Sequence, residues 1–207
     1  MEISISKQQL AALPVAQFRG TIRVVDDTES VEYAIGRLRN ADIIGFDTET
    51  RPSFKKGQSY NVALLQLSSD DECFLFRLNK IGMPEPLKKL LEDKEKQKVG
   101  LSIHDDFRNL HKTYDFEPEG FIELQQFATQ WNIIDKSLSK LYGILFGKRL
   151  SKSQRLSNWE SDQLAEAQQH YAALDAQACV EIYKHLNAGL FQPSESQYII
   201  RQTDEEI

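Results

Sequence analysis

At 207 residues, with 41% hydrophobic and 27% charged side chains, the chain suits one globular domain with a sizeable core. A net charge of −6 argues against gripping nucleic acid by bulk charge, and no apolar run approaches the ~18 residues of a membrane helix. The N-terminal MEISISKQQL lacks the basic and apolar regions of a secretory signal. Cys73 and Cys179 sit far apart without a disulfide framework, so reduced thiols and a cytoplasmic location are expected.

In chain order, a strand is expected at 21–25 and a helix over 28–39. Strand-like runs follow at 42–48, 62–68 and 72–78, the last two separated by the turn-like Ser69, Asp70 and Asp71. With no helix between them they read as an antiparallel meander. A helix begins near Pro84, where proline fits the first turn, and runs to about residue 93. Next come a strand at 98–103, a helix at 105–113, a strand at 120–124 and helices near 125–132 and 138–146. A long helix over 162–186 closes the series, and the tail from Gln192 reads as peripheral or disordered. The pattern predicts an α/β fold, a mixed sheet covered by helices.

The segment ADIIGFDTET (41–50) places Asp47 and Glu49 on one face of a strand, with Ile43 and Gly45. Ile44, Phe46 and Thr48 take the other face. Paired anions in an apolar setting need protonation or a positive partner, and a divalent metal is the usual partner. The spacing Asp-x-Glu recurs at Asp27/Glu29, Asp70/Glu72, Asp93/Glu95, Asp115/Glu117 and Asp204/Glu206. Only the 47/49 pair ends an apolar run. A solvated strand end is the plainer alternative.

In the last helix, Leu164, Ala167, Tyr171, Ala178, Ile182 and Leu186 recur at helical spacing. Asp175 falls near the middle of this stripe, where an unpaired carboxylate would cost several kcal/mol. Tyr171 lies one turn earlier on the same face. A Tyr171–Asp175 hydrogen bond within the core is one account of this placement, and a metal shared with Asp47 and Glu49 is the other. In VGLSIHDDFRNL (99–110) a strand runs into a helix opened by Asp105 and Asp106. Asp105 suits capping, and Asp106 could point back across the strand ends.

Positive side chains gather at Arg51, Lys55 and Lys56 and again at Lys148, Arg149, Lys152 and Arg155. Neither group is dense enough to imply tight nonspecific binding to DNA, and divalent ions on the acids would offset part of the negative charge.

Together these segments resemble the DEDD exonuclease family, so called after four metal-binding acids in three motifs. FDTE (46–49) matches the first motif. Gly100, Ile103, Asp106 and Leu110 match the second, which selects Asp106 over Asp105. Tyr171, Asp175 and Ala176 match the third, in the tyrosine-bearing DEDDy form. VALLQL (62–67) looks like the family's second strand. Leu156, Ser157, Asn158 and Trp159, followed by Leu164, Gln168 and Tyr171, are similar to the Werner-type exonuclease domain and its ribonuclease D relatives. The likeness spans roughly residues 21–190, leaving 1–20 as an N-terminal extension and 191–207 as a C-terminal tail. Two departures stand out: Gln163 replaces a common proline and Ala165 a capping hydroxyl. His170 also fits the spacing of a histidine subclass. On a helical projection Tyr171 shares the Asp175 face, while His170 lies about 120° from the stripe centre.

The resemblance implies a ribonuclease H-like fold: a five-stranded mixed sheet, three antiparallel strands then parallel, flanked by helices. It implies 3′–5′ exonuclease activity releasing nucleoside monophosphates from the 3′ end of DNA or RNA, with two Mg²⁺ or Mn²⁺ ions. Asp47 would bridge both ions, Glu49 and Asp175 would complete one site, Asp106 would hold the second, and Tyr171 would orient the attacking water. Thr48, Phe107, Arg108 and Trp159 are weaker candidates for substrate contact, Trp159 reading better as core. DNA is favoured modestly over RNA, because the chain lacks room for the helical domains with which ribonuclease D grips RNA. Any helicase partner must come from elsewhere, and no membrane is involved. The rivals are an inactive nucleic-acid-binding module of the same fold and a metal-dependent nucleotidase or phosphatase.

Overall fold

Val62–Ser68 is buried at all of its positions, as expected of a strand at the centre of a sheet covered on both faces. In the computed structural model, which describes residues 1–200, this strand is β3 of a six-stranded mixed sheet. The others are β1 (Thr21–Val25), β2 (Ile44–Thr50), β4 (Glu72–Phe76), β5 (Lys98–Gly100) and β6 (Phe121–Glu123). Their order across the sheet is β1-β4-β3-β2-β5-β6. β2, β3 and β4 form the antiparallel meander, while β5 lies parallel to β2 and β6 parallel to β5. These five make up the expected sheet. The sixth, β1, adds parallel to β4 at the edge. Glu72, buried on β4, fixes this edge by accepting from Arg23 on β1 at 2.7 Å and from Arg37 at 2.9 Å.

Helices α1 (Lys7–Ala12), α2 (Thr28–Arg39), α3 (Leu78–Ile81), α4 (Glu85–Leu91), α5 (Ile103–Leu110), α6 (Leu124–Phe127), α7 (Leu138–Phe146) and α8 (Glu166–Asn187) surround the sheet. One core lies beneath α7 and α8, and the other collects Ile44, Phe46, Leu65 and Leu67 against α2, α4 and α5. Gly45 decides how near α8 comes. A Cβ there would lie 2.0 Å from the Ala176 carbonyl oxygen, so only glycine lets the helix backbone settle on β2 at this level.

Several boundaries differ from the sequence reading. The chain turns at Ser102, in the left-handed region (φ 62°), so β5 stops at Gly100 and α5 begins at Ile103. Asp105 does not cap α5. Glu123 from β6 does, accepting from the backbone N–H of Ser102 at 3.0 Å and Ile103 at 2.9 Å. The last helix starts at Glu166 rather than 162, because the buried Arg77 guanidinium donates to the carbonyls of Ser161 and Asp162 and holds that segment as a loop. The Gln168 side chain accepts from the Ala165 N–H at 3.0 Å, the half of a capping box that needs no hydroxyl at Ala165, and the Gln168 N–H donates to the Ala165 carbonyl at 2.9 Å. Ala167 is exposed and not part of the buried stripe.

The tail is not wholly peripheral. Tyr198 is buried and Ile199 bridges to Ile3; residues 201–207 of the tail lie outside the described residues. The N-terminal segment is equally tied in. Ile3 and Ile5 are fully buried, and the Ile5 N–H donates to Asp135 at 2.8 Å.

Candidate active site

Strand β2 delivers Asp47 and Glu49 to the α8 side of the sheet, and the close contact at Gly45 brings Asp175 up to them. One carboxylate oxygen from each of Asp47, Glu49 and Asp175 lies within 4.8 Å of the other two. Asp106 stands outside that group, on the first turn of α5. The Thr48 hydroxyl, on the strand face opposite the two strand acids, donates to it.

Burial and mutual repulsion set the electrostatics. Asp47 is pushed well above the carboxylate range by burial first and by the Asp175 charge second. Glu49 is pushed up to about 10 by burial and then by Asp47, Asp175 and Asp106, with Arg155 pulling it back. Asp106 rises to about 8 through burial and Asp47, against the Thr48 hydrogen bond. Asp175 rises to about 7 through burial, offset by the Tyr171 hydroxyl and the Lys152 charge. Such a cluster cannot ionise fully without cations. Its donors are all oxygens, the chemistry that suits Mg²⁺ and Mn²⁺. The residues present therefore fit a divalent-ion site.

Tyr171 turns toward the acids. Burial raises its pKa above the ordinary phenol value, with further rises from Asp175, Glu49 and Asp47. His170 is exposed beside Glu166, 3.7 Å away. Both residues line a cavity of ≈400 Å³ together with Asp175 and with Ala16, Gln17 and Phe18. Lys152, Arg155, Tyr171 and Asp175 share a neighbouring cavity of ≈170 Å³.

The weaker substrate-contact candidates fare differently. Trp159 is fully buried, its ring 6.0 Å from that of Tyr171, and belongs to the core. Phe107 packs edge-on against Phe121 at 4.8 Å and beside Phe46 at 5.8 Å, so its ring is spent on packing. Arg108 pairs with Asp105 at 2.9 Å. The Thr48 hydroxyl is engaged by Asp106.

Sequence reasoning overlooked two features. Phe54 (82% exposed), in the loop after β2, and Leu156 (66% exposed), in the loop before α8, line one cavity of ≈260 Å³ with Arg51 and Tyr60. Gln66 lies opposite Asp47 on β3. Its signal was in the sequence, as the amide that interrupts VALLQL.

A family model described as 3'-5' exonuclease matches residues 22–190. The bifunctional 3'-5' exonuclease/ATP-dependent helicase WRN of Mus musculus is 36% identical over 189 residues, covering 84% of this chain. This chain spans only 13% of that protein's length. Among solved structures, the Nibbler EXO domain of Aedes aegypti superposes with a TM-score of 0.74 at 23% identity, covering 87% of this chain and 97% of that one. The Trypanosoma brucei RNase D complex with RNA U12 does so with a TM-score of 0.71 at 22% identity, covering 82% and 63%. The chain belongs to the DEDD-type 3′–5′ exonuclease family. No helix among the described residues is long and apolar enough to cross a membrane.

Proposed function

We propose that this chain hydrolyses the terminal phosphodiester bond at the 3′ end of a nucleic acid strand and releases nucleoside monophosphates. The convergence of Asp47, Glu49 and Asp175 carries the reading, with residues 21–190 taken as the exonuclease unit. Two divalent ions, Mg²⁺ or Mn²⁺, would supply Lewis acidity for the attack by water and the departure of the 3′ oxygen. Asp47, Glu49 and Asp175 would hold the first ion, with Asp47 shared by the second and Asp106, oriented by Thr48, completing it.

Tyr171, in the DEDDy role, keeps its proton because its pKa lies above the ordinary phenol value. It therefore orients the attacking water by hydrogen bonding and does not act as the base. Lys152 and Arg155 line one cavity with Tyr171 and Asp175, and there they would meet substrate phosphate oxygens.

Phe54 and Leu156 offer exposed apolar surface to unpaired bases, with Lys55 and Lys56 beside them for the backbone. DNA stands ahead of RNA through the likeness to the Werner-type exonuclease. The fold shared with an RNase D bound to RNA keeps RNA as the second substrate.

The test is a matched set of DNA and RNA single strands, overhangs and recessed ends, with mononucleotides alongside, in Mg²⁺ and in Mn²⁺. Stepwise shortening from the 3′ end is expected, and faster on DNA. Hydrolysis of mononucleotides alone would favour a nucleotidase, and binding without cleavage an inactive module.

A further inference from the structure

Gln66 is fully buried in β3, and among the described residues neither its amide nitrogen nor its amide oxygen has a hydrogen-bond partner. A buried amide left unmet is destabilising, and a methionine or leucine would fill similar space without that cost. The rest of VALLQL is apolar, so packing alone does not account for the amide.

Its place in the sheet suggests what it serves. Gln66 is the direct partner of Asp47 across the antiparallel β2–β3 ladder. Directly opposed residues project from the same side of a sheet with Cβ atoms about 5 Å apart. Here that side is the one packed by α8, where Leu64 and Leu75 join the α8 core. An ionised carboxylate is a strong acceptor. An uncharged amide satisfies it without adding a cation that competes with bound metal.

We infer that Gln66 is a positioning residue: with divalent ions bound at the acids, its side-chain N–H donates to the Asp47 carboxylate and fixes how that carboxylate presents its oxygens. The inference rests on the divalent-ion reading of Asp47, Glu49 and Asp175. Partners of this kind behind a metal ligand are typically worth 10–100-fold in metal affinity.

The experiment compares wild type with Gln66→Met and Gln66→Leu by two readouts. One is the Mn²⁺ dissociation constant, from the electron paramagnetic resonance signal of free Mn²⁺. The other is the Tm of the metal-free protein in EDTA. The expected result is about tenfold weaker Mn²⁺ binding in both variants, with a metal-free Tm equal to or above that of wild type. Unchanged Mn²⁺ affinity overturns the role. So does a lowered metal-free Tm or a failure to fold, either of which makes the amide a structural element. If wild type takes up no Mn²⁺, the ion reading itself fails, a result distinct from the other outcomes.

Discussion

Thr48 and Asp106 are joined across two elements: the hydroxyl between the two strand acids donates to the acid on α5. One strand thus presents Asp47 and Glu49 on its α8 face and steers a further carboxylate from its other face. Thr48→Val keeps the shape and removes the donor. It should cost about 1 kcal/mol of stability and raise the Mg²⁺ concentration needed for half-maximal turnover about tenfold. A metal titration of kcat measures this; an unchanged half-saturation point would detach Thr48 from the site.

The raised acids make stability fall with pH when no metal is present. Glu49 moves from 4.5 to about 10, Asp106 from 3.8 to about 8 and Asp175 from 3.8 to about 7. Because the folded-state values lie above the unfolded ones, their contribution is fully present below about pH 4 and is lost as pH rises through the folded values. Melts in EDTA should therefore show Tm declining from pH 5 to pH 9. Added Mg²⁺ should raise Tm more at pH 9 than at pH 6, since binding requires ionised carboxylates. A metal-induced shift that shrinks with rising pH would contradict this.

Tyr171 and His170 are neighbours with different prospects. Tyr171→Phe should lower kcat about 100-fold with little change in Mn²⁺ affinity. His170→Ala should stay within about twofold of wild type, in the range expected of an exposed substitution. The reverse ranking of kcat values would move the chain to the histidine subclass.

The helix acid and the strand acids were legible before any coordinates. Asp175 lies on an apolar helical stripe, and Asp47 and Glu49 end an apolar strand, so periodicity alone marked them as charges out of place. Asp106 was not separable from Asp105 by pattern. The resemblance selected it, and the fold supplies a physical difference, since Asp105 points to Arg108 while Asp106 meets Thr48. The N-terminal segment went unread because Ile3 and Ile5 find their partners, Ile133 and Asp135, about 130 residues away. The helix start at Glu166 depended on Arg77, which meets the Asp162 carbonyl from 85 residues away. Periodicity reports which face of an element is apolar; it carries no information on which distant side chain will cover it.

Phe54 and Leu156 show the same limit, since they meet at one cavity although each sits in a loop whose neighbour cannot be read locally. The double variant Phe54→Ala with Leu156→Ala should raise KM for a single-stranded oligonucleotide about tenfold, the loss of about one stacking contact on Phe54 together with the apolar contact of Leu156. Hydrolysis of a nitrophenyl ester of thymidine 5′-phosphate should keep its wild-type rate. An unchanged oligonucleotide KM would remove these side chains from the strand's path.

Gly45→Ala tests the approach that assembles the centre. The added methyl would meet the Ala176 carbonyl at 2.0 Å, and backbone cannot yield as a flexible side chain can. A loss of about 3 kcal/mol is expected, with Mn²⁺ affinity falling in the fraction that remains folded, because α8 must lift Asp175 away. A variant with wild-type stability and affinity would show that the contact is not needed.

Turnover of a 3′-labelled oligonucleotide in Mg²⁺ by wild type, Asp47→Ala and Asp175→Ala probes the acid centre most directly. Wild type should release labelled mononucleotide and stop when EDTA is added, while each variant, folded by its melting curve, should lose at least about 1,000-fold in kcat. Rates within tenfold of wild type in either variant, or cleavage that persists in EDTA, would contradict a metal-assisted reaction at these residues.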